Sequence, residues 1–264
     1  MAEIHLSHPQ PLEESLVAPR TSVGGAAASA AQGLRALEVA NRALLEVVER
    51  LDDTVVSGPS LLPNWSRAHV LTHLARNADG LVNLLTWART DVEHPMYQSA
   101  ADRNADIEEG VDRPARLLVE DVRAATERFD AAAAGLDDSA WAAQVVGRGR
   151  TFQADEIPWI RQREVWIHLV DLDVGPSIED IPDDQIELML VDVITRYRAR
   201  DDAPRFGLLV ELSDGTERTF FIGSATDDGP PAVRGKAKAV LGWLIGRQDG
   251  ADLLGTLPVL PEWD

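Results

Sequence analysis

The sequence contains no cysteine. That excludes a disulfide scaffold and is compatible with a reducing compartment. Any thiol chemistry carried out by this chain must use a thiol brought in from outside. Positive charge is also scarce, with 25 Lys and Arg against 44 Asp and Glu and a net charge of −19. Such a balance argues against a nucleic-acid partner, and no basic run reverses it. An anionic substrate would be repelled by the protein as a whole, so binding one requires a local cluster of arginines. No apolar run approaches the length needed to span a bilayer. Met1 to about Ala31 lacks the cationic start of a signal peptide, and His5, His8, Pro9, Glu13 and Glu14 interrupt every apolar stretch in it. Its Pro, Ser, Gly and Ala content reads as a disordered tail. There is no Gly-rich phosphate loop and no nucleophile elbow. The sequence reads as a soluble, acidic, cytoplasmic protein that engages neither membrane nor nucleic acid.

What is present is mostly helical. With 264 residues, 45% of them apolar, the chain can bury a sizeable core. Four helical patterns fill the first two-thirds, over about residues 32–51, 66–90, 114–134 and 154–172. Asn64 or Ser66 can cap the second, and Pro114 opens the third. Beyond Asp173-Val174-Gly175-Pro176-Ser177 the texture changes. A helix over about 182–199 precedes two strand-like runs, Phe206–Leu212 and Arg218–Ile222, and the Ser213-Asp214-Gly215 turn between them predicts a hairpin. A last helix is expected over about 232–246, then an irregular end. The expected architecture is a tail over 1–31, a four-helix bundle over 32–175 and a small α+β domain over 176–264.

The fourth helical pattern is unusual in being apolar around most of its circumference. Arg161, Glu164, His168 and Asp171 break this as one narrow stripe. Polar groups on a buried helix need partners. Glu164 and His168 lie one helical turn apart, so both face the same way. Far upstream, His73 sits on the polar side of the second helix with His69, Thr72, Arg76, Asn77, Asn83 and Trp87. Two imidazoles and a carboxylate are a recurrent ligand set for a catalytic divalent metal, and bundle cores build such sites from facing helices. His69 competes with His73 as a ligand, and the polar side of that helix could equally face water. His94 reads as a solvated loop residue, His5 and His8 belong to the tail, and Trp65, Trp87, Trp159 and Trp166 read as packing residues.

The block from Trp65 to Asp79, WSRAHVLTHLARNAD, resembles the signature of the mycothiol-dependent maleylpyruvate isomerase family, within the DinB-like metal-binding four-helix-bundle superfamily. The blocks Asn83–Thr90, Pro95–Tyr97, Arg103–Glu108 and Arg163–Leu172 are similar to that family too. Val240–Arg247 resembles its sterol-carrier-like C-terminal domain. Asn64 stands where the family more often has Gly, and the segment before Gln32 lies outside the family core.

The resemblance implies a metal, usually zinc, held by His73, Glu164 and His168, with His69 a non-ligand. It implies mycothiol, the low-molecular-weight thiol of actinobacteria, as the external thiol whose need the missing cysteines create. Arg103 and Arg247 best match the two arginines that the family devotes to its small anionic substrate. Arg247 would set the active site at the domain interface. The implied reaction is cis–trans isomerisation of maleylpyruvate to fumarylpyruvate by thiolate addition, rotation and elimination. Two other readings share these residues. One is a mycothiol S-transferase acting on an electrophilic or biosynthetic intermediate. The other is a metal-stabilised bundle whose second domain binds a lipid or a partner. The sequence leaves the oligomeric state open.

Overall fold

The computed structural model describes residues 23–223 and 232–263. Four long helices form the body of the first part: α1 (Val23–Val48), α3 (Arg67–Thr90), α5 (Ala115–Ala134) and α7 (Ile157–Asp171). Shorter helices α2 (Asp53–Val56), α4 (Ala100–Gly110) and α6 (Asp138–Trp141) fill the connections, with a hairpin of β1 (Gln144–Gly147) and β2 (Arg150–Gln153) just before α7. Helix α3 packs on both α5 and α7, and α1 packs on α7. Leu71, Leu74, Leu81 and Leu85 of α3 are wholly buried at the centre.

Helix α1 starts at Val23, so residues 23–31 belong to it rather than to a tail. The segment is alanine-rich, and alanine has the highest helix propensity. Ala26 and Ala30 add buried packing to it. The rest of the expected tail lies outside the described residues. Helix α3 begins where Ser66 accepts a hydrogen bond from the His69 amide, and Ser66 is therefore the cap. Asn64 has φ of 63°, a left-handed conformation that glycine and asparagine adopt most readily. An asparagine can therefore replace glycine in that turn.

The second part holds α8 (Asp183–Arg198), β3 (Phe206–Glu211), β4 (Glu217–Ile222), β5 (Val233–Lys236), α9 (Ala237–Leu244) and β6 (Leu254–Gly255). Its sheet has the order β4-β3-β5-β6. The hairpin between β3 and β4 forms as expected, with Asp214 accepting hydrogen bonds from the amide and hydroxyl of Thr216. The expected final helix is shorter at its start, because residues 233–236 pair in parallel with β3 instead. The free edge of β3 offers those residues a full set of hydrogen bonds. Gly235 lets Leu253 lie against the strand where a Cβ would collide with it. The result is a helical bundle followed by a small α+β unit.

The two parts are fastened together. Within the first part the end of α7 is tied down, Arg67 donating to the carbonyls of Leu172 and Asp173 and the Leu61 amide to the carbonyl of Asp171. Across the junction, Arg163 of α7 pairs with Asp192 of α8.

Candidate metal centre and cavity

The stripe on α7 finds its partners on α3. Arg161, almost fully buried, donates to the Leu74 carbonyl at 2.8 Å and to Asn77 Oδ1 at 3.0 Å. Glu164 Oε2 meets His73 Nε2 at 3.2 Å, Asn77 Nδ2 at 3.3 Å and His168 Nε2 at 3.7 Å. The imidazoles of His73 and His168 meet edge to face, their centres 4.6 Å apart. One donor atom from each of His73, Glu164 and His168 lies within 4.8 Å of the others. Bonds of about 2.0–2.1 Å in a tetrahedral shell separate two donors by about 3.3 Å, so this set fits a divalent ion.

His73 is 1% exposed. Thr72 and Asn77 are equally hidden, so this stretch of the polar side of α3 is not wet, whereas Asn83 further along it is exposed. His69 is occupied elsewhere. Its Nδ1 lies 3.1 Å from the Ser66 amide and 2.7 Å from the Ser66 hydroxyl, closing the capping box of α3. Trp65 stacks on His69 and tilts against His73, at 5.9 and 5.6 Å between ring centres.

Electrostatics prepare the three groups unequally. Burial pushes His73 down to about 4, assisted by the charge of His168, so it is neutral at physiological pH. Burial alone would raise Glu164, but hydrogen bonds from His168 and His73 outweigh it and hold the carboxyl well below its usual range. Burial would lower His168, and the hydrogen bonds to Asp171 and Glu164 outweigh that, raising it. A metal arriving here meets one ready imidazole and one ready carboxylate, while the second imidazole holds its proton to higher pH than an ordinary histidine.

His168 Nδ1 bonds Asp171 Oδ2 at 2.8 Å. Asp171 is fully buried and in turn receives Arg247 of the second part, Nε to Oδ1 at 2.7 Å and Nη2 to Oδ2 at 3.0 Å. A carboxylate behind a ligand histidine fixes its tautomer and orientation. The remaining donor nitrogen of Arg247, Nη1, reaches the Ile245 carbonyl. Arg247 thus lines the cavity with its guanidinium already engaged, and it orients Asp171 and through it His168. Arg103 Nη2 lies 3.2 Å from His73 Nδ1 and its Nη1 donates to Asn104.

The cavity measures about 760 Å³ and is lined by residues from both parts of the chain. Trp65 and Trp87, read from sequence as packing residues, line it, while Trp166 is buried. Trp159 is half-buried against the core, also as a packing residue. His94 is half-buried and is not part of the cavity wall. His5 and His8 lie outside the described residues. Sequence reasoning missed Arg148, Arg163 and Arg196 and the C-terminal Trp263, all of which line the cavity. The Gly147-Arg148-Gly149-Arg150 stretch between two short apolar runs was the available signal for a hairpin at that point. Trp263 gave no signal, being brought in by the packing of the last residues on Tyr197.

The fold is a helical bundle that converges two histidines and a glutamate, a set that could hold a metal ion, on a cavity also lined by a small α+β unit. Residues 37–173 match the family model described as the mycothiol maleylpyruvate isomerase N-terminal domain, and the chain belongs to that family. A crystal structure of mycothiol-dependent maleylpyruvate isomerase is similar over 89% of this chain and 97% of its own, at 28% identity and a TM-score of 0.79. The structure of a histidine-to-alanine mutant of a mycothiol-dependent maleylpyruvate isomerase is similar at 27% identity, with the same coverage and TM-score. No curated protein sequence matches. Among the described residues, no helix is long and apolar enough to cross a membrane.

Proposed function

We propose that this chain is a metal- and mycothiol-dependent cis–trans isomerase converting maleylpyruvate to fumarylpyruvate. The observation that carries this reading is a His73–Glu164–His168 set, with His73 and Glu164 buried and His168 half-buried, beside an arginine-lined cavity in a chain without cysteine. These three residues would hold the ion, and their nitrogen and oxygen donors suit zinc. Bound there, the ion would supply a Lewis acid that keeps the thiol of mycothiol deprotonated at neutral pH.

The rest falls to the chain's own side chains. Arg103, anchored beside His73, offers positive charge to a substrate carboxylate and to the enolate formed when the thiolate adds to the conjugated double bond. The former double bond is then single and rotates. Elimination of the thiolate restores the double bond in the trans form, with no net gain or loss of atoms. Arg247 keeps His168 aligned through Asp171. Trp65, Trp87 and Trp263 line the cavity with apolar surface that excludes water from the adduct.

The test is maleylpyruvate isomerisation by the metal-loaded protein, followed by absorbance with and without mycothiol. Turnover that requires the thiol and disappears in His73→Ala supports the reading. Absence of turnover at one bound ion per chain overturns it in favour of a mycothiol S-transferase.

A further inference from the structure

Five arginines line the cavity, and their guanidinium groups are not equivalent. Arg163 is held by Asp192 and Glu164, Arg196 by Asp192, and Arg247 by Asp171. Arg103 is held by His73 and Asn104. The side chain of Arg148 has no hydrogen bond and no ion pair among the described residues.

The residue is exposed, but its backbone is held in place. Arg148 and Gly149 form the turn of the β1–β2 hairpin, with φ of 49° and 76°. Glycine or asparagine would adopt the first of these more readily than arginine does. The hairpin is seated closely on α3, because a Cβ at Gly147 would lie 3.3 Å from Leu84 Cδ1 and 3.1 Å from Phe152 Cε1. The neighbouring cation is committed: Arg150 bonds Glu156 through both terminal nitrogens at 3.0 Å and lies over the Phe152 ring. The charge of Arg148 is felt inside the site, where it favours the ionised forms of both Glu164 and Tyr97. In a protein of net charge −19, an unpaired cation kept in an unfavourable backbone conformation at a cavity wall is poised for an anionic ligand.

We propose that Arg148 is a specificity-determining residue that binds the second carboxylate of a dianionic substrate, with Arg103 serving the carboxylate nearer the metal ligands. This rests on the isomerase reading and narrows it: the cavity selects dicarboxylates over monoanionic electrophiles. A guanidinium and a carboxylate can pair bidentately, and Arg148 brings both of its terminal nitrogens uncommitted.

Binding of maleate and of its monoamide, maleamate, to the metal-loaded protein by titration calorimetry tests this without turnover. The wild-type protein is expected to prefer maleate. Arg148→Ala should weaken maleate binding about tenfold and leave maleamate unchanged, while Arg148→Lys should keep part of the preference. Arg150→Ala removes the same charge from the same hairpin and should alter neither affinity. Equal maleate affinity in Arg148→Ala and wild type overturns the proposal, as does an equal loss in Arg150→Ala. If maleate selectivity disappears with Arg148 yet maleylpyruvate is not turned over, the isomerase reading fails while the role of Arg148 stands.

Discussion

His73 and His168 share one carboxylate, yet their surroundings move them in opposite directions, and the metal-free protein should show this as a stability optimum. His73 titrates at about 4 in the fold against an ordinary 6.5, so the unfolded chain binds more protons between those values. Stability therefore rises with pH across that interval, by up to about 1.4 kcal/mol per pH unit for one proton. His168 is raised, so its contribution is present below the ordinary histidine range and is lost as pH climbs through its folded value. Thermal melts of the metal-free protein against pH should peak near the ordinary histidine pKa. A monotonic rise to pH 9 would show that the His168–Asp171 contact does not raise that group. Metal binding should follow the same proton: affinity, measured by chelator competition, should rise about tenfold per pH unit until His168 is neutral and then level off. Asp171→Asn removes the charge behind His168, and it should lower metal affinity by about 10–100-fold.

At the scale of elements, α3 owes its register to a few residues before its first turn. Ser66 caps it and His69 closes the box from inside, which keeps that histidine out of the His73–Glu164–His168 cluster. Ser66→Ala should cost about 1 kcal/mol in urea denaturation. Asn64 offers a sharper test, because its φ is positive. Asn64→Gly should leave stability nearly unchanged, while Asn64→Val should cost about 1–2 kcal/mol; equal melting of the two would contradict a left-handed turn there. That the stripe on α7 needs partners was legible from the sequence, because polar groups on a mostly apolar helix demand them; that α3 supplies them was implied there by the family resemblance. The hairpin ahead of α7, helix α4 and strand β5 were not legible. Each is short, and its existence depends on what lies beside it rather than on its own periodicity. Residues 233–236, Val-Arg-Gly-Lys, have no strand periodicity of their own and become a strand because β3 has a free edge.

The whole molecule is tied through its site. Arg247 comes from the second part and Asp171 from the last turn of α7, and their paired hydrogen bonds end at a residue with no exposure. Replacing the cation leaves a buried carboxylate supported by His168 alone. Arg247→Gln should destabilise the protein by about 3 kcal/mol and weaken metal binding at the same time. If only substrate affinity changes, with stability and metal content intact, Arg247 acts on the substrate directly rather than through Asp171.

The sequence by itself determined the chemistry available to this protein. Without cysteine the thiol must come from elsewhere; with so few cations an anionic ligand needs local arginines; with Glu164 and His168 one turn apart on an apolar helix, a polar pair faces inward. These follow from composition and helical period, which no tertiary contact can alter. Tertiary structure decided which groups are free to act. His73 rather than His69 joins the set because one is packed against α7 while the other is spent on a helix cap. Arg247 is paired with Asp171, and among the described residues Arg148 alone of the cavity arginines keeps its guanidinium unpaired. Burial and pairing are properties of neighbours, and those neighbours lie tens of residues away along the chain.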